Sequence, residues 1–183
     1  MMTRLFALSL LVVLATACDS ADDGDAPGFQ ATIGVDTAEP RLVRGSAAVG
    51  DELTGQFRAF VDPELEGATL TAVLLTASGE DVQFLLAGLT EGALTAGTYA
   101  IDDLGGGPSG SSFLFLSLEG DPRDPEALAI GAGDSGTVTI ETASADRLAG
   151  TFSVRVVDLS DPTGDDDPIT VEGRFTAAGG LGD

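Results

Sequence analysis

The chain has no histidine, no tryptophan and no lysine; all eight basic residues are arginine, and there is one cysteine and one tyrosine. Each absence removes a class of chemistry. Without histidine there is no Ser-His-Asp triad, no imidazole general base and no ordinary zinc site. Without lysine there is no Ser-Lys pair, and the run Gly105–Gly110 cannot be a nucleotide loop, so it reads as a hairpin connection. A single cysteine forms no internal disulfide. Aromatics are 5% of the chain, too few for the platforms that a two-carboxylate glycosidase sets around its sugar. Nowhere do apolar residues recur at i, i+3, i+4 over three turns, which argues against long helices. A short helical turn is expected around Pro63–Glu66.

Acid is present in excess. Thirty aspartates and glutamates face the eight arginines, for a formal net charge of −22. Such a field repels nucleic acid and anionic lipid headgroups, so nucleic acid is not an expected partner. The acids are spread along the whole chain, the pattern of a solvated surface rather than one charged tail.

Apolar residues concentrate first at the N-terminus. Arg4 precedes the uncharged, mostly apolar stretch Leu5–Ala17, which is shorter than the roughly 20 residues a permanent spanning helix needs. Residues 1–17 therefore read as an export signal. The stretch closes on Leu14-Ala15-Thr16-Ala17-Cys18, which resembles the lipobox of bacterial lipoproteins, although Ala15 stands where that pattern most often has leucine. The resemblance implies that Cys18 is acylated and becomes the mature N-terminus. Ala15-Thr16-Ala17 also fits ordinary secretory cleavage, but an exported lone thiol is an oxidation liability unless modified. Residues 18–28 hold four aspartates and no apolar periodicity, the composition of an extended tether.

Residues 29–183 read as one all-β domain, an antiparallel β-sandwich or β-barrel of about 8–10 strands. Period-two alternation runs through Phe29–Val35, Leu53–Val61, Thr137–Glu141, Leu148–Val156 and Ile169–Thr176, as expected for strands with one buried and one wet face. Leu70–Thr76, Val82–Ala87 and Phe113–Leu118 are apolar throughout, and are expected to be covered on both faces or to border a bend or a cavity. Loops are expected at Asp62-Pro63, Ser78–Asp81, Asp102–Gly110, Asp121–Glu126, Gly133-Asp134 and Ser160–Pro168. Gly150 and Gly173 fall at inward positions of their alternations, where close backbone approach is the expected reason for glycine.

Three segments carry a further resemblance: Ser135–Ile140, Arg147–Val154 and Ile169–Phe175, with the theme G-x-V-x-I, L-x-G-T-F and I-T-x-G-x-F, plus Gly97-Thr98-Tyr99 upstream. They are similar to the C-terminal meander of an uncharacterised family of small bacterial envelope lipoproteins. The resemblance covers about a third of the mature chain. It implies a β-barrel-like or sandwich domain and supplies no catalytic residue.

The metal candidate is the acidic run Asp158, Asp161, Asp165 and Asp167, because calcium takes six to eight oxygens and a turn rich in aspartate can offer them. The competing reading is a solvated hairpin tip, since aspartate favours turns. Asp121, Asp124 and Glu126 form a weaker group of the same kind. No cofactor other than such a calcium is expected. Arg58, Arg155 and Arg174, with Glu141 and Glu172, are expected to form cross-strand ion pairs on the wet face rather than an anion site.

These readings converge on a non-enzymatic, lipid-anchored protein of the bacterial cell envelope, at the outer membrane or cell surface rather than the cytoplasmic membrane. Its domain is expected to be a binding or structural accessory module, its partner a protein or small molecule. The alternative is a lipocalin-like carrier of a small apolar ligand; a carboxylate-based hydrolase is least favoured.

Overall fold

The computed structural model describes residues 26–49, 68–101, 111–120, 129–159 and 167–178. The expected export signal, Cys18, most of the expected tether, Leu53–Val61, Pro63–Glu66 and the glycine run at 105–110 lie outside the described residues. Within them the chain is all β. The strands are β1 (Gly28–Ile33), β2 (Arg41–Val49), β3 (Ala68–Ala77), β4 (Val82–Glu91), β5 (Gly97–Ile101), β6 (Ser112–Glu119), β7 (Ala129–Ala143), β8 (Arg147–Asp158) and β9 (Ile169–Ala178).

Pairing runs β1-β2-β3-β4-β6-β5-β7-β8-β9 and closes into a barrel through β1 and β9. Most neighbours are antiparallel, as expected. The exceptions are β5, which lies parallel to β6 through Ala100↔Ser112 and Ile101↔Phe113, and a single parallel pairing of β2 with β9 at Ala48↔Ala178. Hairpins dictate antiparallel neighbours, but β5 and β6 are joined by residues 102–111 and start at the same end of the barrel. That end, where β4 finishes and β5 and β6 begin, is called the lower end here.

The fifteen residues of β7 serve two neighbours along one edge, with β8 along the other. Its first part, Ala129–Ala132, pairs with the upper half of β6, and its later part, Gly136–Ile140, pairs with β5. Between them the register against β8 shifts at Gly133/Ser135. Gly133-Asp134 is therefore a β-bulge inside a strand and not the loop expected from its composition. A bulge bends a strand and increases its twist, which lets β7 leave β6 for β5. At Gly133 a Cβ would lie 2.9 Å from Val154 and 3.0 Å from both Ile101 and Phe115, so side chains from three strands converge where glycine leaves room.

The barrel interior holds one hydrophobic cluster to which every strand contributes. Its centre is a line of rings: Phe29 to Phe84 at 6.0 Å, Phe84 to Phe115 at 5.5 Å, and Phe115 to Phe152 at 5.6 Å. The line joins β1 to β4 and β6 to β8, strands that are not sheet neighbours, so the rings meet across the interior. Gly150 and Gly173 sit in this packing as expected. A Cβ on Gly173 would lie 2.5 Å from the Phe152 ring and 2.8 Å from the Gln30 carbonyl oxygen, and one on Gly150 would overlap the Thr139 carbonyl oxygen.

The two outer walls differ in chemistry. Across β5, β7, β8 and β9 one row reads Thr98, Thr139, Thr151, Arg174 and the next Ala100, Thr137, Ser153, Glu172. Across β3, β4 and β6 the corresponding rows read Leu70, Leu89, Ser112; Ala72, Ala87, Leu114; and Leu74, Leu85, Leu116. The outward Ala72 and Ala87 are 0% exposed and Leu89 is 3%. The expectation of strands covered on both faces holds for β3 and β4; on β6 the outward leucines are half-buried.

Candidate functional site

Most of the acids described in the turns collect at the upper end, with Asp146 of the β7–β8 turn at the other. Connections β1–β2 (34–40) and β3–β4 (78–81) are at the upper end, with the last residues of β6, the first of β7 and both arms of the β8–β9 hairpin. Asp158 ends β8 and is exposed; Asp167 lies two residues before β9 and is exposed. The last register pair of the hairpin is Val156↔Ile169, so the two aspartates stand two positions beyond it, one on each arm. Asp161 and Asp165 lie outside the described residues, as do Asp121, Asp124 and Glu126. Among the described residues no group of three or more histidine, cysteine, aspartate or glutamate side chains is close enough to hold a metal ion.

Residues that the sequence reading did not single out organise this end. The Nη1 of Arg41 donates to Glu119 Oε1 at 2.8 Å, and its Nε lies 3.8 Å from Glu80 Oε2. Arg41 has the parity of the inward residues Val43 and Ala47, and Glu119 that of Phe113 and Phe115, so the pair reaches over the mouth rather than along the outer wall. The hydrogen bond to Glu119 is the main cause of the raised pKa of Arg41. Nearby, the Asp36 carboxylate accepts from the Thr170 amide at 3.1 Å and from the Thr170 hydroxyl at 3.0 Å. Those two bonds, the amide first, hold its pKa below the usual carboxylate range. Gly34 N–H donates to the Thr170 carbonyl at 2.8 Å, so the β1–β2 turn is fastened to the start of β9.

Two of the residues expected to form wet-face ion pairs stand opposite hydroxyl residues. Glu172 accepts from the hydroxyl of Ser153, its register partner, at 3.1 Å, and Arg155 stands opposite Thr170. Hydroxyls occupy the directly opposed positions that an ion pair needs. Arg58 lies outside the described residues.

A groove of about 490 Å³ opens beside the β3–β4 turn, lined among others by Thr76, Glu80, Asp81, Gln83, Leu118 and Gly120. Gly120 N–H donates to the Asp81 carbonyl at 2.8 Å, which ties the end of β6 to that turn and fixes one side of the groove. The arrangement combines the exposed carboxylates of Glu80 and Asp81 with the half-buried Leu118. It presents acceptors and apolar surface, which suits recognition of a cation-bearing group.

The chain matches no protein-family model, no curated protein and no solved structure.

Proposed function

We propose that the protein is a membrane-anchored lipoprotein of the bacterial cell envelope, of the small-lipoprotein type its C-terminal strands resemble. Acyl chains on Cys18 hold it at the outer membrane or cell surface, and its barrel acts as a non-enzymatic binding or structural accessory module. One observation carries this reading: the only cysteine of the chain stands directly after a thirteen-residue apolar leader and ten residues before β1 begins at Gly28. Two or three acyl chains anchor stably where one does not. The module reading draws on the lack of histidine and lysine and on an interior given over to packed side chains. Mass spectrometry of the mature N-terminus after expression in a bacterial host is the test. Acylated Cys18 is expected; an unmodified thiol, or cleavage elsewhere, overturns the anchor.

The carrier reading has two observations in its favour. The strands close into a barrel, and the Thr71 hydroxyl, buried at an inward position of β3, has no hydrogen-bond partner. Against it, the Phe29-Phe84-Phe115-Phe152 line occupies the interior where a ligand would lie. A calcium ion at Asp158, Asp161, Asp165 and Asp167 remains a separate proposal; a melting temperature that falls on chelation supports it, and an unchanged one removes it.

A further inference from the structure

We infer that a window in the barrel wall beneath β6, closed by residues 92–96 with Leu94 as its plug, admits a small apolar ligand whose one hydroxyl or carbonyl group bonds to Thr71. The inference rests on the carrier reading and places the ligand below the phenylalanine line.

Register defines the window. Strand β4 pairs with β6 down to Leu89↔Ser112 and then runs on through Thr90 and Glu91. Strand β5 meets Ser112 only at Ala100, so Gly97, Thr98 and Tyr99 also lie below the start of β6. Between β4 and β5 the sheet therefore lacks a strand, a gap of about 10 Å at ordinary strand spacing. The connection at 92–96 crosses it. Gly92, Ala93, Thr95 and Ala96 are exposed, and Leu94 alone turns into the core cluster. The two sides of the connection are pinned: the Thr90 hydroxyl donates to the Gly92 carbonyl at 2.9 Å, and the Tyr99 hydroxyl to the Thr95 carbonyl at 2.8 Å. Leu94, between them, makes no hydrogen bond among the described residues. Gly92 has φ +80° and open space where a Cβ would stand, so it can turn without repacking. A segment held by one apolar side chain beside a glycine opens at less cost than the ladders around it.

Thr71 supplies the polar contact behind the window. It lies two positions below Val73 on the inward face of β3, is 3% exposed, and its hydroxyl has no partner. Its register partner is Gly88, two residues above Thr90 at the edge of the window. A Cβ on Gly88 would lie 2.5 Å from the Phe113 ring, so that ring occupies the place of the missing side chain, next to Thr71. Thr71 is four residues below Leu75, the partner of Phe84, and Phe113 is two below Phe115, so both sit beneath the line of rings. Withdrawal of Leu94 leaves room for a group of its own size among apolar neighbours. A ligand oxygen there would satisfy the buried hydroxyl, which is otherwise costly to leave unpaired.

The test titrates the full chain with isoamyl alcohol, an isobutyl group like that of leucine carrying one hydroxymethyl, and with isopentane, the same carbon skeleton without oxygen. Binding is followed by NMR shifts of the protein methyl groups. The parent must first displace Leu94, which lowers its apparent affinity; Leu94→Ala should bind the alcohol roughly ten-fold or more tighter. Adding Thr71→Val should weaken the alcohol about five-fold, the loss of one hydrogen bond, and should not weaken isopentane. Phe152→Leu, which makes room at the phenylalanine line, should bring no gain. Circular dichroism checks that each variant is folded; should Leu94→Ala unfold, Leu94→Val takes its place with a smaller gain expected. Alcohol binding that is indifferent to Leu94→Ala or to Thr71→Val overturns the inference. A gain in Phe152→Leu instead of Leu94→Ala overturns the window and leaves the carrier reading standing, whereas no binding to any variant overturns both.

Discussion

Arg41 and Glu119, the first residue of β2 and the last of β6, meet at 2.8 Å although 78 residues separate them in sequence. The contact exists because β3 and β4 carry the chain up and down once between them, returning β6 to the same end of the barrel. It joins the closing part of the sheet to its middle. Its side chains are 41% and 54% exposed, so solvent screens the attraction.

Replacing Arg41 with methionine keeps most of the apolar stem and removes the charge. Loss of stability should stay below about 1 kcal/mol and shrink further in high salt. Urea denaturation at low and high ionic strength measures both; a loss of several kcal/mol would show that the arginine is part of the core packing instead.

Asp36 has a folded-state pKa lowered by the Thr170 amide and hydroxyl. A lowered folded pKa means that the contribution is fully present above the unfolded value, about 4, and is lost as pH falls through the folded value. Asp36→Ala should therefore melt at a lower temperature than the parent at pH 7. The two melting curves should converge as the pH falls through the folded value. A difference that persists there would assign the effect to packing.

Gly173→Ala should destabilise by about 1–3 kcal/mol, the usual range for overpacking a filled core. Its Cβ meets the Phe152 ring at 2.5 Å and the Gln30 carbonyl at 2.8 Å. Adding Phe152→Leu should recover part of the loss but not all, because the carbonyl of β1 cannot withdraw. Full recovery would place the whole conflict on the ring.

Thr71 is 3% exposed and its hydroxyl has no partner. Thr71→Val keeps the shape and removes the unsatisfied group, so stability should rise by about 1 kcal/mol. A fall in stability would mean that the hydroxyl is satisfied in solution by water or a bound ligand, and would favour the carrier.

Much of this architecture could be read directly from the residues. The alternation of Leu148, Gly150, Phe152, Val154 and Val156 returns as the inward face of β8, and Ile169–Phe175 as β9, because one-sided burial imposes period two on any strand. Strand β2 and the bulge within β7 escaped. In β2 the inward positions include Gly45 and Ala47, and β2's outward residues include Leu42 and Ala48, so the contrast that marks alternation is weak. In β7 the pair Gly133-Asp134 has turn composition, but a bulge asks for the same residues as a turn. Neither Arg41 nor Asp36 carried a local signal, since each acts on a strand reached only through the fold.

The sequence by itself determined the strand chemistry, the excess of acid, the lack of histidine and lysine and the apolar stretch that precedes Cys18, because these depend on residue identity and on neighbours a few positions away. Tertiary structure alone decided that the sheet closes, that β5 lies parallel to β6, that four phenylalanine rings fill the interior, and that apolar and acidic surfaces adjoin at one end. Those are consequences of register between strands far apart in the chain, and register is set when the inward faces find a common core.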